Sequence, residues 1–354
     1  MNSKRFVLPL LVAAVGLLAC GPLSTGQQPP KAPPFPPVAP ALARLDHTMS
    51  GLDGPGFAIA AGEESGVVAA ACEGGTVQLW HKDALLGIRS GNGTAQVLRG
   101  LEGPVTGLAW NGGPVLAAAG GSRILLWALP EGNILHTLTA EKLVRALAMS
   151  PDGKLVAGAG DDPTVQLWEV GSGKPTAALR EHTDWILCLR FSPGGNLLAS
   201  GGYDGLVRLW DVAAGKKVRD LPAAPIPPPK VPPDPVIVHS LAFSPDGKEL
   251  AIGGADGQIR LVSAGDGKVL RTLTGHNSAV MDLAYHPGGK LLASASKDRT
   301  VRLWDPTNGQ PLKVLEGHAA WVQGVVFWAR GTRLASAGAD QTVRVWDLTE
   351  PPKK

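Results

Sequence analysis

The feature that most constrains this chain is that it repeats itself. The stretches LLASGGYDGLVRLWD (197–211), LLASASKDRTVRLWD (291–305) and RLASAGADQTVRVWD (333–347) are copies of one pattern. Fainter copies place seven unit ends at Trp80, Trp127, Trp168, Trp210, Val262, Trp304 and Trp346, in steps of 47, 41, 42, 52, 42 and 42 residues. The long step holds a Pro-rich insert, PAAPIPPPKVPPDP (222–235). A recurring period of this size means that one small supersecondary unit is arrayed many times, each copy burying the next.

Within a unit, short apolar runs alternate with turns, and no helical periodicity is present. In the sixth unit Ala279 to Tyr285 reads as a strand and His286-Pro287-Gly288-Gly289 as a turn. Lys290–Ser294, Thr300–Trp304 and Leu312–Leu315 are the next strands. Four short strands per unit predict an all-β fold over 41–350, a seven-bladed β-propeller of four-stranded antiparallel blades. A 44% hydrophobic composition is enough for a large core, and 46 glycines and 31 prolines suit many tight turns.

The units resemble WD repeats. Pieces of that family's pattern stand at Gly275-His276, Gly317-His318, Phe191-Ser192-Pro193, Phe243 to Gly247, Trp210-Asp211, Trp304-Asp305 and Trp346-Asp347. Units one and two are degenerate: neither keeps the turn Asp, and Leu101 stands at the His position. Unit seven stops after its third strand. The resemblance implies that an N-terminal strand supplies the fourth and closes the ring; Ala41–Asp46 is the candidate, with His47 in the place of the usual His after it.

His182, Ser200, Asp204 and Trp210 share their spacing with His276, Ser294, Asp298 and Trp304, and with His318, Ser336, Asp340 and Trp346. Ser, His and Asp together suggest a nucleophilic triad. Repetition argues against it, because a reaction needs one site whereas a structural device is needed in each blade. The resemblance implies a hydrogen-bonded chain from Trp to Ser to His to Asp. Asp162 and Asp256 keep the turn position in units three and five, but Ala140 and Asp234 replace His, Gly158 and Ile252 replace Ser, and Val262 replaces Trp. Cys72 and Cys188, on distant blades, read as buried fillers. Arg208, Arg260, Arg302 and Arg344 recur beside the Trp position and read as stems packed between blades. No catalytic residue, metal site or cofactor is expected.

Trp185 and Trp321 each follow a conspicuous His by three residues, where the chain enters an innermost strand. The family pattern implies that this point lies on the top face beside the central channel, with Tyr203 and Lys297 on the same rim. These four residues are the candidate partner-binding surface, because exposed aromatics anchor interfaces; the alternative is that both tryptophans fold into the core.

The N-terminus reads as an address. Lys4 and Arg5 precede a thirteen-residue apolar run, Val7–Ala19, too short to span a bilayer. Leu17-Leu18-Ala19-Cys20-Gly21 resembles the bacterial lipobox, which implies a signal peptide over 1–20, lipidation of Cys20 and a location outside the cytoplasmic membrane, facing the periplasm or the cell surface. Residues 21–40 form a Pro-rich linker, and 351–354 a short tail. The net charge of +3, with no basic run, argues against nucleic acid. The function expected is a non-catalytic protein–protein interaction scaffold on an exported lipid anchor. The alternative is a propeller enzyme or carbohydrate binder using the channel mouth, disfavoured because small and apolar residues are expected there.

Overall fold

A computed structural model describes residues 35–62, 66–81, 96–222 and 236–349. The expected signal peptide with Cys20, the expected linker up to residue 34, residues 223–235 of the insert and the tail lie outside the described residues.

The strands assemble into seven four-stranded antiparallel sheets. In the first six blades the strands follow one another in chain order from the centre outward. The innermost strands neighbour each other in sequence, and the first of them, Gly56–Gly62, packs against both Val105–Trp110 of blade two and Val322–Trp328 of blade seven. The ring is therefore closed, and the seven-bladed propeller expected from the repeat is the observed fold.

The middle strands explain the composition. Val67–Cys72 is buried at every residue, and Leu197–Gly202 and Arg333–Gly338 at all but the first. A sheet covered on both faces leaves room only for small side chains, hence runs such as Val-Ala-Ala-Ala and Leu-Ala-Ser. The described residues form seven hydrophobic clusters, each spanning two consecutive blades. In each, the unit-end residue of one blade lies on the sheet before it: Trp127 on blade one, Trp210 on blade three, Trp80 on blade seven. Val262 takes this place between blades four and five.

Every innermost strand carries a bulge directly after its first residue. The extra residue is left out of the ladder and the strand twists there. These unpaired residues include Thr106, Arg145, His239 and Gln323, and they line the upper end of the central channel.

Blade seven is completed by the N-terminal strand, as expected, but the strand begins three residues later than expected and shares only Arg44–Asp46 with the candidate. Pro40–Leu42 forms a 3-10 turn, with proline's fixed φ suited to its first position, and the closing strand is Arg44–Met49. It pairs antiparallel with Val343–Asp347, Arg44 opposite Asp347 and Met49 opposite Val343. His47 thus lies within the strand, and the His position of blade one, four residues before Gly56, is Leu52, which is buried. The seam carries an ion-pair network. The buried Asp347 carboxylate binds Arg44 through one oxygen and Arg333 NH1 (2.6 Å) through the other, and the Arg44 guanidinium also donates to Thr349 O at 3.2 Å.

Asp347→Ala is expected to lower unfolding free energy by about 1–3 kcal/mol, because the half-buried Arg333 loses its nearer carboxylate and keeps only Asp46, 3.5 Å away. Arg44→Ala, at an exposed end of the same network, should cost no more than about 1 kcal/mol. Urea unfolding of the two variants checks the ranking.

Candidate functional site

In blades four, six and seven the structure brings the four spaced residues together. Trp210 Nε1–H donates to Ser200 Oγ (2.8 Å), the Ser200 hydroxyl donates to His182 Nε2 (2.7 Å), and His182 Nδ1–H donates to Asp204 Oδ2 (2.8 Å). A carboxylate can only accept, so Nδ1 carries the proton and every direction in the chain follows. The same links join Trp304, Ser294, His276 and Asp298 (2.8, 2.7 and 2.7 Å) and Trp346, Ser336, His318 and Asp340 (3.0, 2.8 and 3.0 Å). Each Asp also caps the loop after its His, accepting from the N–H of Thr183, Asn277 or Ala319. Ser200, Ser294 and Ser336 are wholly buried and their oxygens are occupied by tryptophan. No substrate carbonyl can reach them.

The Gly before His276 and His318 has a steric reason, while Glu181 stands in that place before His182. Gly275 and Gly317 sit at φ +157° and +141°, and a Cβ there would lie 2.7 Å from Arg302 NH1 and 2.5 Å from Arg344 NH1. The recurring arginines do more than pack their stems. Arg208 NH1 lies 2.6 Å from Asp204 Oδ2, and Arg260 NH2 lies 2.6 Å from Asp256 Oδ2, so in these blades the guanidinium holds the turn Asp. In blade five that pair stands without His, Ser or Trp. In blades one and two Leu52 and Leu101 fill the His place with apolar bulk.

The electrostatics follow from this wiring. Burial opposes the charge on Asp204, but hydrogen bonds from His182 and Arg208 outweigh it and hold the carboxyl down at about 2. Asp298 and Asp340 are also lowered, against the same burial cost, by their His and Thr donors and, at Asp340, the Ala319 N–H. Burial lowers His318, which favours its neutral form. Cys188, sealed at the blade four–five seam, has its thiol pushed far up by burial, which disfavours the thiolate.

The predicted rim residues form two separate pairs. Trp185 and Trp321 are 40% and 51% exposed, so neither folds into the core. Trp185 meets Tyr203 edge to face at 5.3 Å, and the Arg145 guanidinium lies 4.5 Å over its ring. Lys297 Nζ lies 4.7 Å over Trp321. Arg145 is further held by Asp161. Burial, with Lys297 nearby, pushes His239 down to about 4, so it is neutral at neutral pH.

Sequence reasoning missed the charges in the channel, where small and apolar residues were expected. Arg190 of blade four reaches past blade five to Asp282 of blade six, NH2 to Oδ1 at 3.0 Å. Asp282 Oδ2 accepts from Val325 N–H of blade seven at 3.0 Å. A signal existed. The residues equivalent to Arg190 are Ala60, Ala109, Ala148, Ala242, Ala284 and Val326, and those equivalent to Asp282 are Ala58, Gly107, Ala146, Cys188, Ser240 and Gly324. Two charges in two columns of small residues stand out once the strands are compared with each other.

Residues 132–169, 173–211, 267–305 and 309–347 match the family described as WD domain, G-beta repeat. Residues 232–279 match the anaphase-promoting complex subunit 4 WD40 domain. The chain belongs to the WD40-repeat β-propeller family. The WD40 matches begin at residue 132, after the two degenerate units. Among curated proteins, the chain is 41% identical over 56 residues to a probable serine/threonine-protein kinase, PkwA, of Thermomonospora curvata, which is 16% of this chain and 8% of that protein. It is 25% identical over 195 residues to the DENN domain and WD repeat-containing protein SCD1 of Arabidopsis thaliana, 53% of this chain and 15% of that one. WD40 propellers are typically protein-interaction scaffolds and generally non-catalytic.

The clasp of this WD40 propeller predicts a sign for its pH dependence. His318 is lowered in the folded state, so its contribution is full above the unfolded value, about 6.5, and is lost as pH falls below it. The lowered aspartates add a second loss as pH falls below about 4 toward their folded values. Melting curves should be flat from pH 8 to 7, decline below about 6.5 and steepen below about 4. In Asp340→Asn the last segment should be shallower.

Proposed function

We propose that this chain is a non-catalytic platform that binds partner proteins through its top face, on the rim around the channel. The observation that carries this reading is the pair of half-exposed tryptophans, each stacked under a cation supplied by a neighbouring blade or turn. Large amphipathic side chains held in one orientation lose little entropy on binding, which is what an interface anchor requires. The clasp residues Ser200, Ser294 and Ser336 serve folding rather than chemistry on this reading, since they are buried and repeated. Crosslinking in the native cell followed by partner identification tests the platform. Trp185→Ala/Trp321→Ala should lose partners that wild type retains, with the melting point little changed. Unchanged partners would remove the top face from the proposal.

The second part of the proposal is an exported location. Its support is sequence alone: Lys4-Arg5, the apolar run and Leu17-Leu18-Ala19-Cys20. A diacylglycerol on Cys20 would give stable membrane attachment, because each buried methylene adds about 0.8 kcal/mol. Cys20→Ser should move the protein from the membrane fraction to the soluble fraction; an unchanged distribution would refute the anchor.

A further inference from the structure

Below the Arg190–Asp282 bridge the channel holds a cavity of about 380 Å³, on the side away from the tryptophans, where the turns after the innermost strands lie. That volume falls within the range of small-molecule sites, about 300–1,000 Å³. Trp110, Phe191, Phe243 and Tyr285, the last residues of four innermost strands, and Phe327, the last but one of a fifth, line it, each opposite a leucine of the next strand. The wall is therefore a broken ring of aromatics, roofed by one ion pair.

Arg190 is the distinctive group. Its side chain is 41% exposed although it stands in the channel, whereas Asp282 is 14% exposed. One N–H donates to Leu189 O (3.1 Å) and one to Asp282. A guanidinium has five N–H donors, so three remain unspent. The Asp282 carboxylate is engaged by Arg190 and by the Val325 amide at the seam of blades six and seven. Packing does not require a charge at the Arg190 position, because the other six blades place Ala or Val there.

We propose that the lower channel binds a small apolar carboxylate, its body among the aromatic side chains and its carboxylate on the free edge of Arg190. Planar bidentate recognition of a carboxylate is the interaction a guanidinium makes best. The aromatics contribute apolar area without a competing polar group, since Trp110 Nε1–H is spent on Gly113 O and the Tyr285 hydroxyl on Glu249. This site is independent of the top-face reading.

Calorimetric titration of the full chain with decanoate, below its micelle concentration, and with 1-decanol tests the inference. Wild type should bind decanoate saturably at one site. The double variant Arg190→Leu/Asp282→Asn removes both charges and orphans neither. It should weaken decanoate about ten-fold or more, the scale of a lost charge-assisted hydrogen bond, and leave 1-decanol within about two-fold. Phe191→Ala, which keeps the ion pair, should weaken both ligands and serves if the double variant melts early. No saturable binding of decanoate by wild type, unchanged decanoate affinity in the double variant, or unchanged affinity for both ligands in Phe191→Ala would overturn the proposal.

Discussion

No blade of this protein is complete without a neighbour on each side. The two middle strands are covered on both faces, and the residue that ends each unit lies on the sheet of the blade before it. An open row of blades would leave one such face in water at each end, and closure into a ring removes both. Blade seven and blade one meet through Trp80 and Trp328, and Arg44–Met49 finishes the last sheet, so the two ends of the propeller complete each other.

Magnitudes explain why the clasps are unevenly distributed. A buried hydrogen bond contributes about 1 kcal/mol net, whereas removing a large buried aromatic costs about 3–5 kcal/mol. Packing outweighs hydrogen bonding here, so the tryptophan is kept in six units and the His–Ser–Asp chain in three. Leu52 and Leu101 show how the clasp is replaced: an apolar plug brings no polar group of its own that needs a partner. Blade five keeps only Asp256 with Arg260. It is joined to blade four through the smaller Val262.

The fold was legible because its signals repeat. The spacing of Trp210, Trp304 and Trp346 and the fixed offsets of their His, Ser and Asp partners gave both the blades and the contacts within them. What was misplaced does not repeat. The closing strand has no second copy to calibrate it, and Pro40 starts a turn rather than a strand, so pairing begins at Arg44. Arg190 and Asp282 occur once each, and the bridge between them crosses an intervening blade, a relation that no local pattern encodes. The arginines beside the tryptophans were visible, but their contact with Gly275 and Gly317 depends on a loop conformation. Trp185 and Trp321 were identified as rim residues from their place after His; their exposure and the Arg145 cation above Trp185 needed coordinates.

The seam between Arg44–Met49 and Val343–Asp347 joins segments about three hundred residues apart in the chain. During synthesis the early strand is made long before its partner, and until Asp347 emerges its backbone donors and acceptors have only solvent or another molecule to pair with. Contacts of such long sequence separation form slowly, and an unpaired strand edge is a template for association in the meantime. Closure of the ring therefore waits on its final strand, and a chain truncated short of Val343 would leave Arg44–Met49 without the strand it pairs with.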